Sequence, residues 1–189
     1  MPVYVGLLRA VNLGPGTQVS MERLRTLLSE KGLDGVVTLL QSGNVVFRSP
    51  ERDTARLEGR LEDWLSKGLG LTTTCFVRSD GEWRAIVSGN PFPKEASEAP
   101  NHLVVLALKG APPPAAWKAL AASIPGRERV QGAGRHAYIV YTDGIGRSRL
   151  TNAFLEKHLG SSSTARNWNT VRKLEALASS RGNPGPHPP

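Results

Sequence analysis

Val36-Val37-Thr38-Leu39-Leu40-Gln41-Ser42-Gly43-Asn44-Val45-Val46-Phe47-Arg48 is the stretch that decides the fold. Its two apolar runs, 36–40 and 45–48, have strand length and are rich in β-branched and aromatic residues. Between them lies a short polar segment in which Gly43 and Asn44 both tolerate positive φ. The stretch therefore reads as a hairpin closed by a tight turn.

Both flanks of the hairpin read as helix. On the N-terminal side Ser20 is a candidate N-cap, Glu22 complements the dipole in the first turn, and Gly32 stands where the chain must leave. Met21, Leu24, Leu27 and Leu28 repeat at three and four residues and form one apolar stripe. Ahead of that helix, residues 3–8 are an unbroken apolar run too short for a helix, as in a central strand. Asn12-Leu13-Gly14-Pro15-Gly16 then makes a turn-prone loop. On the C-terminal side Ser49-Pro50-Glu51 supplies a cap, a first-turn proline and an acid, followed by the stripe Leu57, Leu61, Trp64 and Leu65. Residues 71–77, holding Cys75, read as a fourth strand. The order is β-α-β-β-α-β, a ferredoxin-like unit.

The second half follows the same plan less regularly. A helix over 82–87, the loop Asn90-Pro91-Phe92-Pro93 and a strong strand over 102–108 open it. Three prolines precede a helix with Trp117 and Leu120; strands near Arg129 and over 137–141 come next. Gly144-Ile145-Gly146-Arg147-Ser148-Arg149 then leads into a helix holding Leu150, Phe154 and Leu155, and a last helix spans about 165–178. The expectation is an α/β (α+β) protein: a ferredoxin-like unit, then a second ferredoxin-like pass in which a C-terminal helix replaces the fourth strand. Subdomains over 1–80 and 81–180 and a disordered tail over 181–189 follow from it.

Composition narrows the function classes. The 189 residues are 39% hydrophobic and 21% charged, ordinary for a globular chain. No apolar run approaches the roughly 20 residues of a membrane helix, and no basic segment precedes the N-terminal apolar stretch as in a secretory signal. One cysteine, Cys75, excludes an internal disulfide and suits a reducing compartment, so a cytoplasmic protein is expected. Residues 1–100 carry 12 Lys and Arg against 12 Asp and Glu, whereas residues 101–189 carry 12 against 4, which is the whole net charge of +8. That asymmetry fits either a phosphate-bearing small molecule or nucleic acid as partner, or a solvated basic surface. His102, His136, His158 and His187 have no ligand spacing, so no metal and no cofactor are expected. No nucleophile, base or paired carboxylates can be ordered into a catalytic set, though Asp143 is the acid to watch.

Three segments carry candidate anion-binding residues. Arg9 and Asn12 leave the C-terminal end of the first strand, where α/β folds often place ligands. Gly144, Gly146, Arg147 and Ser148 combine backbone donors, a guanidinium and a hydroxyl ahead of a helix, as a phosphate requires. Arg166, Asn169 and Lys173 fall at i, i+3 and i+7 of the last helix and share a face. The expectation is one cleft that brings Arg9, Arg147, Ser148 and Arg166 together. An RRM-like RNA-binding reading shares the element order and would use Tyr4 for stacking, but its third strand lacks aromatics at the usual positions. An enzyme acting on a nucleotide or phosphorylated metabolite is the third alternative, and a structural or protein-binding role the fourth.

Five ordered segments carry a resemblance. They are Leu7-Leu8-Arg9-Ala10-Val11-Asn12-Leu13-Gly14 with Val19-Ser20-Met21 and Leu24; residues 38–47; Asn90-Pro91-Phe92; Gly144-Ile145-Gly146-Arg147-Ser148; and residues 164–171 with Lys173-Leu174. Together, from about residue 3 to 178, they resemble the bacterial domain-of-unknown-function family number 1697. The resemblance implies the α/β architecture and supplies no reaction, cofactor or catalytic residue. Ala10 and Pro15 stand where that family usually has glycines, and Thr17-Gln18 where an asparagine-lysine pair is common.

Overall fold

The first strand, β1 (Val3–Leu8), is buried along its whole length and takes a partner on each side. The computed structural model describes residues 1–11 and 18–182, so Asn12 and the rest of its loop lie outside the described residues. After β1 come α1 (Met21–Glu30), β2 (Asp34–Leu39), β3 (Asn44–Arg48), α2 (Thr54–Leu69), β4 (Cys75–Ser79) and α3 (Asp80–Ser88). The second half holds α4 (Pro93–Glu98), β5 (Leu103–Leu108), α5 (Pro114–Ser123), β6 (Arg129–Ala133) and β7 (His136–Val140). A 3₁₀ turn (Ile145–Arg147), α6 (Asn152–Leu159), β8 (Ser163–Asn167) and α7 (Trp168–Gly182) complete it.

Two antiparallel sheets result, ordered β2-β3-β1-β4 and β6-β7-β5-β8. Each comes from a β-α-β-β-α-β run, and the architecture is consistent with a ferredoxin-like α+β arrangement repeated once. The chain divides into two units, Met1–Ala85 with Lys173–Pro189, and Ile86–Arg172. Among the described residues no helix is long and apolar enough to cross a membrane.

The local chemistry explains the boundaries. Ser20 caps α1, its hydroxyl accepting from Arg23 N. The second helix starts later than Ser49-Pro50-Glu51 suggests. Asp53 is the cap, accepting from Ala55 N at 2.9 Å and Arg56 N at 3.2 Å, while Glu51 Oε1 folds back onto Arg52 N and Asp53 N. In the hairpin, positive φ falls on Leu40 (61°) and Gly43 (71°). Asn44 instead begins β3, buried, its amide bonded to Leu39 O at 2.9 Å. Gly43 must be glycine twice over, because a Cβ there would also stand 2.8 Å from that of Leu8.

Two predicted elements need correction. The fourth strand begins at Cys75 rather than Leu71 and runs on to Ser79. The last helix does not reach back to Ala165: residues 163–167 are β8, the fourth strand missing from the sequence reading. This strand is short and polar, and only its first two residues are fully buried. Arg181 and Gly182, counted with the tail on sequence grounds, are the last residues of α7; residues 183–189 lie outside the described residues.

Period-two alternation sorts the sheets. Tyr4, Leu8, Val45, Phe47, Cys75 and Val77 pack with the stripes of α1 and α2, including Leu24, Leu28, Leu57, Leu61 and Leu65. Val104, Leu106, Leu108, Ala137 and Ile139 pack with Leu120, Leu155 and Leu159. The alternate residues, among them Val5, Val46, Phe76, Val105 and Tyr138, are buried as well.

An edge strand leaves every second N–H and C=O unpaired. On β4 the outward N–H groups are those of Cys75, Val77 and Ser79, and each donates to a carboxylate oxygen at 2.8 Å, from Glu62, Glu58 and Glu82 respectively. Glu58 and Glu62 are one turn apart on α2, which matches alternate residues of the strand. The Arg78 guanidinium turns back onto Val77 O at 2.9 Å and stands 3.6 Å from Glu58, both side chains at most 4% exposed. On β8, Glu156 takes Ser163 N at 2.7 Å, and Arg166 turns back onto Ala165 O at 2.8 Å. Arg78 and Arg166 hold the same register, opposite Val5 and Val105.

Removing the Glu58 carboxylate strands a buried guanidinium and a buried N–H, which in comparable sites costs about 3 kcal/mol or more. Glu58→Ala is expected to lower the urea-unfolding free energy by that amount. A loss under about 1 kcal/mol, the range of an ordinary surface pair, would mean the carboxylate does not hold this edge.

Candidate functional site

The predicted candidates do not behave as one set. Arg9 lies in the first unit at the end of β1, half-buried, its N–H on Thr74 O at 3.0 Å and its carbonyl accepting from Thr73 Oγ1 at 2.7 Å. Ala10 follows at φ 52°, left-handed backbone of the kind that favours glycine. Arg166 lies on β8, not on the last helix, so it leaves the face expected of it with Asn169 and Lys173. Its Nη1 donates to Thr164 Oγ1 and Ala165 O, and burial pulls its pKa down to about 10, so it is still charged at neutral pH. Asn169 donates to Asn101 Oδ1 at 2.8 Å; Lys173 is exposed.

Within the second unit, the loop after β7 gathers several of the candidates. Tyr141 ends the strand buried, and its hydroxyl donates to Leu150 O at 3.1 Å, tying the loop at its base. Gly144 takes φ 87°, and the N–H groups of Gly144, Arg147 and Ser148 bond back to Tyr141 O, Gly144 O and Ile145 O. Thr151, not the glycine segment, caps α6. The expected helix-end cradle is therefore absent: four residues separate the 3₁₀ turn from the helix, and those three donors are spent within the loop. Gly146 has open space around the position of a Cβ. Ser148 Oγ donates to the Glu128 carboxylate and accepts from Leu150 N at 3.0 Å, so the hydroxyl staples the loop to the start of β6.

Around this staple lies a charged cluster. Arg127 meets Asp143 with two nitrogens, its Nε 3.2 Å from Oδ2, and its carbonyl accepts from Thr142 Oγ1 at 3.0 Å. The Arg127 hydrogen bond holds the Asp143 carboxyl below the usual range, and the charges of Arg127, Arg147 and His102 add to it. His102 Nε2 stands 4.0 Å from where a Gly144 Cβ would be. Asp143 thus marks a point within electrostatic reach of three groups that are or can become cationic, and both arginines are exposed. Sequence reading named Asp143 and Arg147 but missed Arg127, Glu128 and His102. The run Arg127-Glu128-Arg129 just before a strand was the available signal.

The open aromatic sheet face of an RRM is missing from the first unit. Tyr4 is 2% exposed, stacks on Phe47 at 5.7 Å, and donates its hydroxyl to Glu51 O at 2.6 Å. Among the described residues no three His, Cys, Asp or Glu side chains converge as metal ligands would.

All three tyrosines are shifted upward. Burial raises Tyr4 and pushes Tyr138 and Tyr141 up to about 12, the Glu128 charge adding to the effect at Tyr141. The neutral phenol is the form the fold prefers. Its stabilisation is complete below the unfolded value near 10 and is lost as pH rises toward 12. An alkaline titration at 295 nm should show Tyr138 and Tyr141 still neutral at pH 10.5, with their ionisation coupled to unfolding at higher pH. Half-ionisation at pH 10 in the folded protein would refute the burial of these hydroxyls.

Three comparisons place the chain. The profile described as "Protein of unknown function (DUF1697)" matches residues 1–138. A solved structure, that of the conserved bacterial protein SP0830 from Streptococcus pneumoniae, covers 94% of this chain and 98% of its own, with a TM-score of 0.74 and 21% identity. At that identity the likeness shows the fold alone. No curated protein matches the chain. With the profile covering well over half of its length, this chain belongs to the DUF1697 family of proteins of unknown function.

Proposed function

We propose that this protein is a binding module for a phosphate-bearing ligand, received on the second unit at the 142–149 loop. The observation that carries this reading is the gathering of Arg127, Arg147 and His102 about the Asp143 carboxylate. Asp143 orients the Arg127 guanidinium fork, and Arg147 adds a second exposed guanidinium beside it, the donor geometry that a phosphate accepts. The surrounding unit favours the same sign: residues 86–172 hold 11 Lys and Arg against 5 Asp and Glu, which accounts for +6 of the net +8. Ser148 serves here as the staple that shapes the loop. Arg9, Arg166, Asn169 and Lys173 have no part in this reading.

The test is a thermal shift with inorganic phosphate, O-phosphoserine and a short RNA at low and high salt. A ligand at a hundred times its Kd, bound to the folded state alone, stabilises by about 2.7 kcal/mol. Phosphate and phosphoserine are expected to raise the melting temperature, less so at high salt, and Arg147→Ala is expected to remove the shift. A shift with RNA alone would replace this reading by nucleic-acid binding. No shift with any of the three would end it.

A further inference from the structure

The four sheet edges are not treated alike. Side chains bond outward backbone groups on three of them: glutamates and Arg78 on β4, Glu156 and Arg166 on β8, and, on β2, Arg181, which donates to Gly35 O at 2.7 Å. Among the described residues no side chain bonds the outward backbone of the fourth edge, β6. Tyr141 N bonds to His102 O at 2.8 Å and Leu108 N to Arg135 O at 2.9 Å on the β5 side of β7. By antiparallel alternation, residues 136, 138 and 140 carry the ladder to β6, where their partners are 133, 131 and 129. Val130 and Gly132 therefore point their N–H and C=O outward. Among the described residues these groups have no partner.

This open edge starts beside the candidate phosphate site. Arg129 opens β6 two residues after Arg127, and both Thr142 and Ser148 bond the loop to that approach. Trp117 backs the strand so closely that a Cβ on Gly132 would lie 2.4 Å from its ring. A second copy of the chain is a poor occupant. Pairing β6 with β6 about Gln131 would set Arg127 opposite Arg135 twice, like charges face to face. A strand of opposite charge meets no such penalty.

We propose that the phosphate-bearing ligand is an extended peptide that adds as a fifth strand to β6. It would bond the outward groups of Val130 and Gly132 and bring a phosphorylated side chain to Arg127 and Arg147. Main-chain bonds to an edge supply affinity independent of sequence, and the guanidinium pair at the strand's end selects the modified residue. The inference rests on the loop being a phosphate site, and its test separates the two.

The probes are two eight-residue threonine–valine peptides with one phosphoserine near the amino or the carboxyl end, their unphosphorylated forms, and free O-phosphoserine. Affinity is read by calorimetry. One phosphorylated peptide should bind at least tenfold more tightly than O-phosphoserine. Val130→Pro deletes only an outward N–H, which an edge strand tolerates, and should weaken that peptide at least tenfold while leaving O-phosphoserine binding unchanged. Val130→Ala keeps the N–H and should bind within about twofold of wild type; melting temperatures confirm that both variants fold. Wild-type peptide affinity in Val130→Pro, or no peptide tighter than O-phosphoserine, overturns strand addition and leaves the phosphate site standing. Peptide binding abolished by Val130→Pro but indifferent to Arg147→Ala and to the phosphate overturns the phosphorylated ligand instead.

Discussion

A buried carboxylate holding a strand's spare N–H is the constraint on which this structure turns. A four-stranded sheet has two edges, and an edge whose N–H and C=O groups are buried without partners cannot persist in a folded protein. Glu58 meets that need for Val77, and its charge is in turn balanced by Arg78, which returns a bond to the carbonyl of the same residue. The helix α2 is thus fixed to β4 by polar bonds as well as by Leu57, Leu61 and Leu65. Slippage along the strand by one residue would both turn Val77 outward and leave the carboxylates facing carbonyls.

The second unit solves the same problem with fewer means. Its helix α6 is half the length of α2, and one glutamate, Glu156, holds Ser163 N as Glu62 holds Cys75 N in the first unit. The arginine is kept. Arg78 and Arg166 occupy the same place in the ladder, turn back on the preceding carbonyl, and stand immediately before the residue that caps the next helix, Ser79 or Asn167. The two passes therefore share a device although their sequences show no evident identity. Conservation of a hydrogen-bonding geometry needs far fewer matched residues than conservation of a packed core.

Much of the first unit was legible because its signals were local. The cap at Ser20, the stripe from Met21 to Leu28 and the hairpin around Gly43 each depend on residues within one or two turns of each other. The second unit was less legible where the structure depends on distant partners. Ser163-Thr164-Ala165-Arg166-Asn167 has no apolar alternation and becomes a strand because β5 lies beside it. The same holds for the site. Arg147 and Ser148 stood out as residue types, but their neighbours Arg127, Glu128 and His102 come from two other segments of the chain. The glycines suggested a cradle, and only the start of α6 at Asn152 shows that the loop spends its own donors.

The family profile ends at residue 138, inside β7, whereas β8 lies at 163–167 and the first unit draws on the chain from Lys173 onward. What is inherited as a recognisable sequence and what closes as a fold are thus different lengths of polypeptide. A gene fragment trimmed to the recognisable part would stop midway through one strand and leave β5, apolar in all six residues, without the neighbour that covers its far side. The less recognisable quarter of the chain thus supplies the strand that completes the second sheet.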